Sequence, residues 1–342
     1  MQEDAKGTRR RGVSMADVAR AAGVSGQTVS RVATGRGVVK EATRQRIITT
    51  MQELGYRPNS AARALRGGQF RSIGVIMFSL SSYGNMRTLD AIASECAAAG
   101  YSLNLIPLSA ATQGSVSGAF ARLNEEAVDG VVIVIEAHSL AESDIELPTG
   151  LPFVVIDSEQ KDRYPVVDTD QAQGARLATE HLLDLGHATV WHIAGPIESY
   201  SAHRRHVAWE RTLVERGARV PEVFVGDWSP DSGYRAALEL LRRDDMTAVF
   251  AANDQMALGV LRAFHEHGRR VPEEVSVVGF DDMIESANFW PTLTTVRQHF
   301  DQVGIQALRL LIAAIEGHEA TTPELVMTEL IVRGSSGPPP RS

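Results

Sequence analysis

Gln27 and Arg31 sit in a short helical segment that opens with Gly26, Gln27 and Thr28 and continues with Ser30 and Arg31. Amide and guanidinium groups at the start of such a helix make bidentate pairs with base edges in the DNA major groove. The elements that would position them can be read around these residues. Ser14 caps a first helix, and Asp17 three residues on completes a capping box. Met15, Val18, Ala19 and Ala22 then form its apolar face. Gly23 ends that helix, Val24 plugs the angle, and Ser25 caps a second helix running to about Ala33, with Val29 and Val32 turned inward. On this motif alone an ordinary helical hairpin is the alternative.

The following residues favour the DNA-reading alternative. Ile47, Ile48, Met51 and Leu54 recur at helical spacing between Glu41 and Leu54, and Gly55 is a stop signal, so three helices can close a small core. Lys40 stands where a side-chain cap would be expected, which weakens that third helix start by about 1 kcal/mol unless Glu41 compensates. Pro58 ends the structure, and Asn59 can cap SAARALRGG, a segment too short for an independent helix; it is expected to order on its target. Residues 1–70 hold 13 Lys and Arg against 5 Asp and Glu, a net of +8, whereas the whole chain is −8. A basic head on an acidic body suits phosphate neutralisation by one end. Residues 1–12, with Arg9, Arg10 and Arg11, read as a disordered basic arm.

Beyond Ser72 the β-branched runs SIGVIMF, SLNLIPL, VDGVVIVI, FVVID, ATVWHIAG, VFVG, AVFAAND and VSVVGFDD alternate with helical segments. That pattern predicts parallel sheets covered on both faces, split into two doubly wound lobes, with ligands beyond the carboxyl ends of the strands. Asp157, Asn253 with Asp254, and Asp281 with Asp282 stand at such ends. A chain of 342 residues with 44% hydrophobic content exceeds one core and fits a small head with a bilobed body. Neither a secretory segment nor a run of about 20 apolar residues is present, so a cytoplasmic location without membrane contact is expected. The single cysteine, Cys96, excludes an intramolecular disulfide and reads as a small buried apolar residue. His203 and His206 lack a third ligand at matching spacing, so neither a metal nor another cofactor is expected.

DVARAAGVSGQTVSRV, ELGYRPNSAARALR and the later blocks, over nearly the whole chain, resemble the LacI/GalR (lactose-repressor) family of bacterial transcription regulators. The resemblance implies an α/β architecture: a helix-turn-helix head over 13–58, a hinge helix and linker over 59–70, a two-lobed periplasmic-binding-protein-like effector and dimerisation domain over 71–333, and a flexible tail over 334–342. It implies that Ser25, Gly26, Gln27, Thr28, Ser30 and Arg31 meet DNA, with Asn59, Ala62 and Leu65 in the hinge, Leu65 wedging the minor groove. Gly26 departs from the family by presenting no side chain. The lobes would be crossed near Thr169, Gln298 and Met327. The blocks GPIESYSAHRRHVAW, VGDWS, AANDQMALG, GFDD and VVID bring Arg205, Trp228, Asn253, Asp281 and Asp157 to saccharide-gripping positions, joined by Ser201 and Phe300. Trp228 matches relatives responsive to β-galactosides, whereas Phe78 and Val134 depart from the pattern. The implied protein is a homodimeric, non-enzymatic repressor binding double-stranded operator DNA under control of a small saccharide. A purine or a phosphosugar remains an alternative effector, with Arg204 beside Arg205 keeping the latter open; a solute receptor and a two-carboxylate glycoside hydrolase are disfavoured by the basic head.

Overall fold

The computed structural model describes residues 13–34, 37–56, 69–77, 80, 82–107, 127–134, 150–158, 164–318 and 325–341. The chain forms two compact units, 1–70 and 71–342. The basic arm, Phe78 and the hinge residues Asn59, Ala62 and Leu65 lie outside the described residues.

In the head, α1 (Met15–Ala22) starts at the capping box: the Asp17 amide donates to Ser14 Oγ at 3.3 Å, and the Ser14 amide donates back to the Asp17 carboxylate at 3.0 Å. It stops at Gly23, whose φ of 64° is the left-handed conformation a side chain disfavours. α2 (Gly26–Thr34) begins with Ser25 Oγ accepting from the Thr28 amide at 3.2 Å. α3 (Glu41–Glu53) begins without a side-chain cap at Lys40. Val18, Val29 and Ile47 are fully buried among Ala19, Ala22 and Val32. At about 1.5–3 kcal/mol for each large apolar side chain, this shared core supplies what three helices too short to persist alone lack. Leu54, expected on the apolar face, is instead exposed, because the helix ends one residue before it.

The first lobe of the body is a parallel sheet in the order β2-β1-β3-β4-β5, from β1 (Ser72–Met77), β2 (Ser102–Pro107), β3 (Gly130–Val134), β4 (Phe153–Ile156) and β5 (Val166–Val167). Register aligns Met77, Val134 and Ile156 at one rim, so Asp157 emerges just beyond it. α4 (Tyr83–Ala98) covers this sheet, and α9 (Phe300–Ile315), far along the chain, returns to it through Val303, Ala307, Leu308 and Leu311. Cys96 lies in this core, where burial pushes its thiol up to about 11.

The second lobe has the order β11-β10-β9-β8-β6-β7, built from β6 (Trp191–Ala194), β7 (Val223–Val225), β8 (Ala248–Ala251), β9 (Ser276–Asp281), β10 (Thr294–Arg297) and β11 (Glu329–Ile331); only the β10–β11 pair is antiparallel among these. α5 (Gln171–Asp184), α6 (Tyr200–Glu215), α7 (Pro230–Leu240) and α8 (Asp254–Glu266) cover it. The chain crosses between lobes at Thr169, at Gln298 and again at Val326, and Thr169 and Val326 form a parallel bridge. Sequence composition suggested a flexible tail after Arg333, but the segment is docked. Ser335 is fully buried, donating to the Val277 carbonyl at 2.6 Å and accepting from the Thr294 amide, while the Gly337 carbonyl meets His187 at 2.9 Å. Composition missed this because the partners of these small polar residues come from distant strands.

His192 on β6 is fully buried, stacked between Phe250 at 4.8 Å and Trp209 at 5.1 Å, and its Nδ1 donates to the Phe250 carbonyl. Desolvation drives its pKa down to about 3. Above about pH 6.5, the unfolded value, folded and unfolded chains hold the ring alike, and stability is full. As pH falls from there toward 3, only the unfolded chain takes the proton, so stability declines, by about 5 kcal/mol in the limit. Chemical denaturation between pH 7 and pH 4 should therefore show a shallower loss for His192→Phe than for the wild type, whatever its stability at pH 7. A second expectation concerns the head: Lys40→Ser should raise its stability by about 1 kcal/mol through the missing cap, read as a shift in its thermal midpoint.

Candidate functional site

Strand ends from both lobes of the body converge on a partly open cavity of about 80 Å³. Its wall includes Asp157, Ser201, Arg205, Trp228, Asn253, Asp281 and Phe300, so all seven residues singled out in the body lie on one cavity. Asp157, Trp228 and Asp281 hold positive φ values of 64°, 68° and 118°. Non-glycine residues held there cost of order 1–3 kcal/mol each and cluster at functional sites; here each marks a strand-end turn that swings its side chain to the cleft.

Arg205 leaves α6 buried, 4% exposed. Its Nε donates to Gln171 Oε1 at 2.8 Å, its Nη1 to the Ala252 carbonyl at 2.5 Å, and its guanidinium lies 3.9 Å from the Phe280 ring centre. Asp281 Oδ1 is 4.0 Å from Nη1, close enough to stabilise charge but too far for a hydrogen bond, and it accepts instead from Gln298 at 2.7 Å. Trp228 lies against Gly195, where an added Cβ would come within 2.3 Å of the indole, so the ring occupies the space a side chain would need there. The indole Nε1 is buried without a hydrogen-bond partner among the described residues. Phe300 covers Gly84 in the same way, with a Cβ-to-ring distance of 2.7 Å, and meets Tyr83 edge-on at 6.0 Å.

Some residues turn out to have supporting work. Asn253, read as a sugar-gripping amide, caps α8 by accepting from the Met256 amide at 2.8 Å and donates to the Trp228 carbonyl at 3.1 Å. It thereby fixes the turn that carries Trp228. Asp254 and Asp282, also at strand ends, do not line the cavity. Asp254 accepts from Ser286, Thr295 and the Met283 amide, and burial together with the neighbouring Asp281 pushes its pKa up to about 7. Asp282 is clasped by Arg297 and Arg333. Conversely, Ser82, Asn85, Thr88, Asp168 and Gln171 line the wall without having been singled out, as do Thr169 and Gln298, noted only as lobe crossings. Their signal was available for Asp168 and Gln171, which flank the Thr169 crossing, but a lone polar residue after a strand is more often a cap. His206 meets the Trp209 ring at a tilt, 5.6 Å between centres, while His203 is exposed on the same helix.

In the head, Gly26, Gln27 and Arg31 are exposed at the start of α2, and Gln27 and Arg31, four apart, share one face. Ser25 and Thr28 are joined through their hydroxyls at 2.9 Å, which commits both to the cap. Ser30 is half-buried.

A helix-turn-helix with a polar helix start exposed, on one chain with a two-lobed body enclosing a polar cleft, defines a DNA-binding regulator. The family model for bacterial regulatory proteins of the lacI family matches residues 14–59, and that for a periplasmic binding protein-like domain matches 179–336. The lactose operon repressor of Escherichia coli (strain K12) is 33% identical over 94% of this chain and 90% of that protein. The HTH-type transcriptional repressor PurR of Pasteurella multocida (strain Pm70) is also 33% identical, over 93% of this chain and 97% of its own. The solved lac repressor dimer bound to operator and the anti-inducer ONPF matches with a TM-score of 0.85 at 32% identity, covering 96% of this chain and all of that one. The transcriptional regulator CelR–cellobiose complex matches with a TM-score of 0.70 at 30% identity, covering 94% and 99%. The chain belongs to the LacI family and is a DNA-binding transcriptional repressor.

For Gln27 and Arg31 the expected outcome follows from their exposure on one face. Each change to Ala should weaken specific operator binding by about 1–3 kcal/mol and leave most of the salt-dependent, nonspecific binding intact. Titration of operator and scrambled DNA at several salt concentrations checks this; equal loss on both would assign the two side chains to phosphates or to the fold.

Proposed function

We propose that this repressor acts in the cytoplasm as a homodimer on carbohydrate-utilisation genes, without enzymatic activity, and that a neutral saccharide of the β-galactoside or β-glucoside class in the cleft controls its operator occupancy. The observation that carries this reading is the balance of groups on the wall. Asp157, Asp168 and Asp281 face Arg205, the one cationic side chain lining the cavity among the described residues. Carboxylates accept and do not donate, so a ligand rich in hydrogen-bond donors, as a pyranose is through its hydroxyls, suits this wall. A phosphosugar would meet an excess of negative charge. Arg204 does not relieve this, because it is exposed and borders a separate groove with Arg176 and Arg211.

Shape supports the same reading. Trp228 and Phe300 supply apolar faces for C–H surfaces. Homodimerisation is supported by the dimeric state of the operator-bound relative. Paired heads also match a pseudo-palindromic operator.

The test is a thermal-shift panel of glucose, galactose, their methyl β-glycosides, lactose, cellobiose, glucose 6-phosphate, hypoxanthine and guanine, followed by operator binding with each hit. A neutral β-glycoside should raise the melting temperature, since a ligand at 100 times its Kd adds about 2.7 kcal/mol, and the same compound should change operator affinity. Arg205→Ala should lose about 2–5 kcal/mol of sugar binding and all coupling to DNA, with sugar-free operator affinity unchanged. A purine or phosphosugar hit without a neutral sugar overturns the saccharide reading, and wild-type sugar affinity in Arg205→Ala and Trp228→Ala overturns the assignment of the cleft.

A further inference from the structure

We infer that Gln171 and Gln298 are positioning residues of this cleft, forming a one-way chain of amides, laid across two of the lobe crossings, that sets the separation of Arg205 and Asp281. The inference rests on the cleft being the effector site. Gln171 opens α5 immediately after the Thr169 crossing, and Gln298 is itself the next crossing, after β10. Gln171 Oε1 accepts from Arg205 Nε at 2.8 Å, Gln171 Nε2 donates to Gln298 Oε1 at 3.1 Å, and Gln298 Nε2 donates to Asp281 Oδ1 at 2.7 Å.

The direction of the chain is dictated by its ends. A guanidinium has donors and no acceptor, and a carboxylate has acceptors and no donor. Gln171 must therefore turn its oxygen to Arg205, which leaves its NH2 for Gln298, which in turn leaves the Gln298 NH2 for Asp281. Flipping either amide sets like against like at two links. The four side chains are 4–7% exposed, and a buried hydrogen bond left unmade carries a desolvation penalty.

The consequence is mechanical. Arg205 and Asp281 are held side by side at 4.0 Å, so a single ligand that reaches both meets a guanidinium and a carboxylate at a fixed spacing. Because their spacing is relayed through the residues at which the chain changes lobes, a ligand that draws the pair together or apart pulls on both crossings. Lobe closure and ligand geometry become one coordinate, which is what a coupled equilibrium between effector and operator requires.

The test uses the full chain with 15N-arginine labelling, and assigns the Arg205 Nε–Hε signal by its loss in Arg205→Lys. In the wild type this proton should exchange slowly with solvent. Exchange should quicken at least tenfold in Gln171→Met, which keeps the length and removes the amide, and to a smaller extent in Gln298→Met and Gln298→Glu, the last of which sets a carboxylate against Asp281. Each variant should also lose tenfold or more in affinity for whichever panel sugar stabilises the wild type most. Unaltered exchange in all three variants overturns the inference, as does wild-type sugar affinity in variants whose exchange is altered. If no panel sugar binds the wild type, the saccharide reading alone falls, and the Arg205 signal still decides whether the glutamines position it.

Discussion

A guanidinium removed from water must be surrounded, and meeting that demand at Arg205 organises the body of this repressor. Stripping a charge of its solvent costs several kcal/mol unless neighbouring dipoles and charges replace it. The replacements come from far apart in the chain: Gln171 after the first crossing, the Ala252 carbonyl at the end of β8, the Phe280 ring on β9 and Asp281 at its tip. Bringing these to one guanidinium forces α6, two strand ends and a lobe crossing to converge. The converging backbone is then already bent at Trp228 and Asp281, in conformations only the surrounding structure can hold. The place where the fold stores this strain is also the place with room for a ligand.

Glycine at two positions makes that room. Gly195 and Gly84 let the Trp228 and Phe300 rings lie directly against backbone. Asn253 ties the Trp228 turn to the start of α8, and Asp254, one residue on, anchors the β9–β10 connection through Ser286 and Thr295. Neighbouring residues at one strand end thus divide the work: one braces the wall from beside the cleft, and the other braces it from behind.

The relatives explain why the scaffold does not by itself name the effector. A lactose operon repressor and a PurR repressor match this chain at the same 33% identity over nearly all its length, so the shared sheets and crossings serve ligands of different chemistry. What differs must be the few side chains that face the cavity. Here those include three carboxylates, one guanidinium and two aromatic side chains.

The sequence determined the head almost completely. Its caps, its Gly23 turn and the apolar positions Val18, Val29 and Ile47 act over three or four residues, a range at which helix geometry leaves little choice. It also determined the alternation of strands and helices, and it put Asp157, Arg205, Trp228 and Asp281 at ends of elements, where a resemblance to known regulators could connect them. The uncapped start at Lys40 was legible for the same local reason. Tertiary structure alone decided which of these ends meet. That Asn253 braces and does not face outward, that Asp254 and Asp282 are turned away from the cleft, and that Ser335 in a Gly- and Pro-rich tail is buried between β9 and β10 all depend on partners tens of residues distant. Gln171 and Gln298 show the limit most clearly. Two glutamines 127 residues apart carry no periodic or motif signal, and their direction in the chain of hydrogen bonds exists only once a cation and a carboxylate have been placed at its two ends.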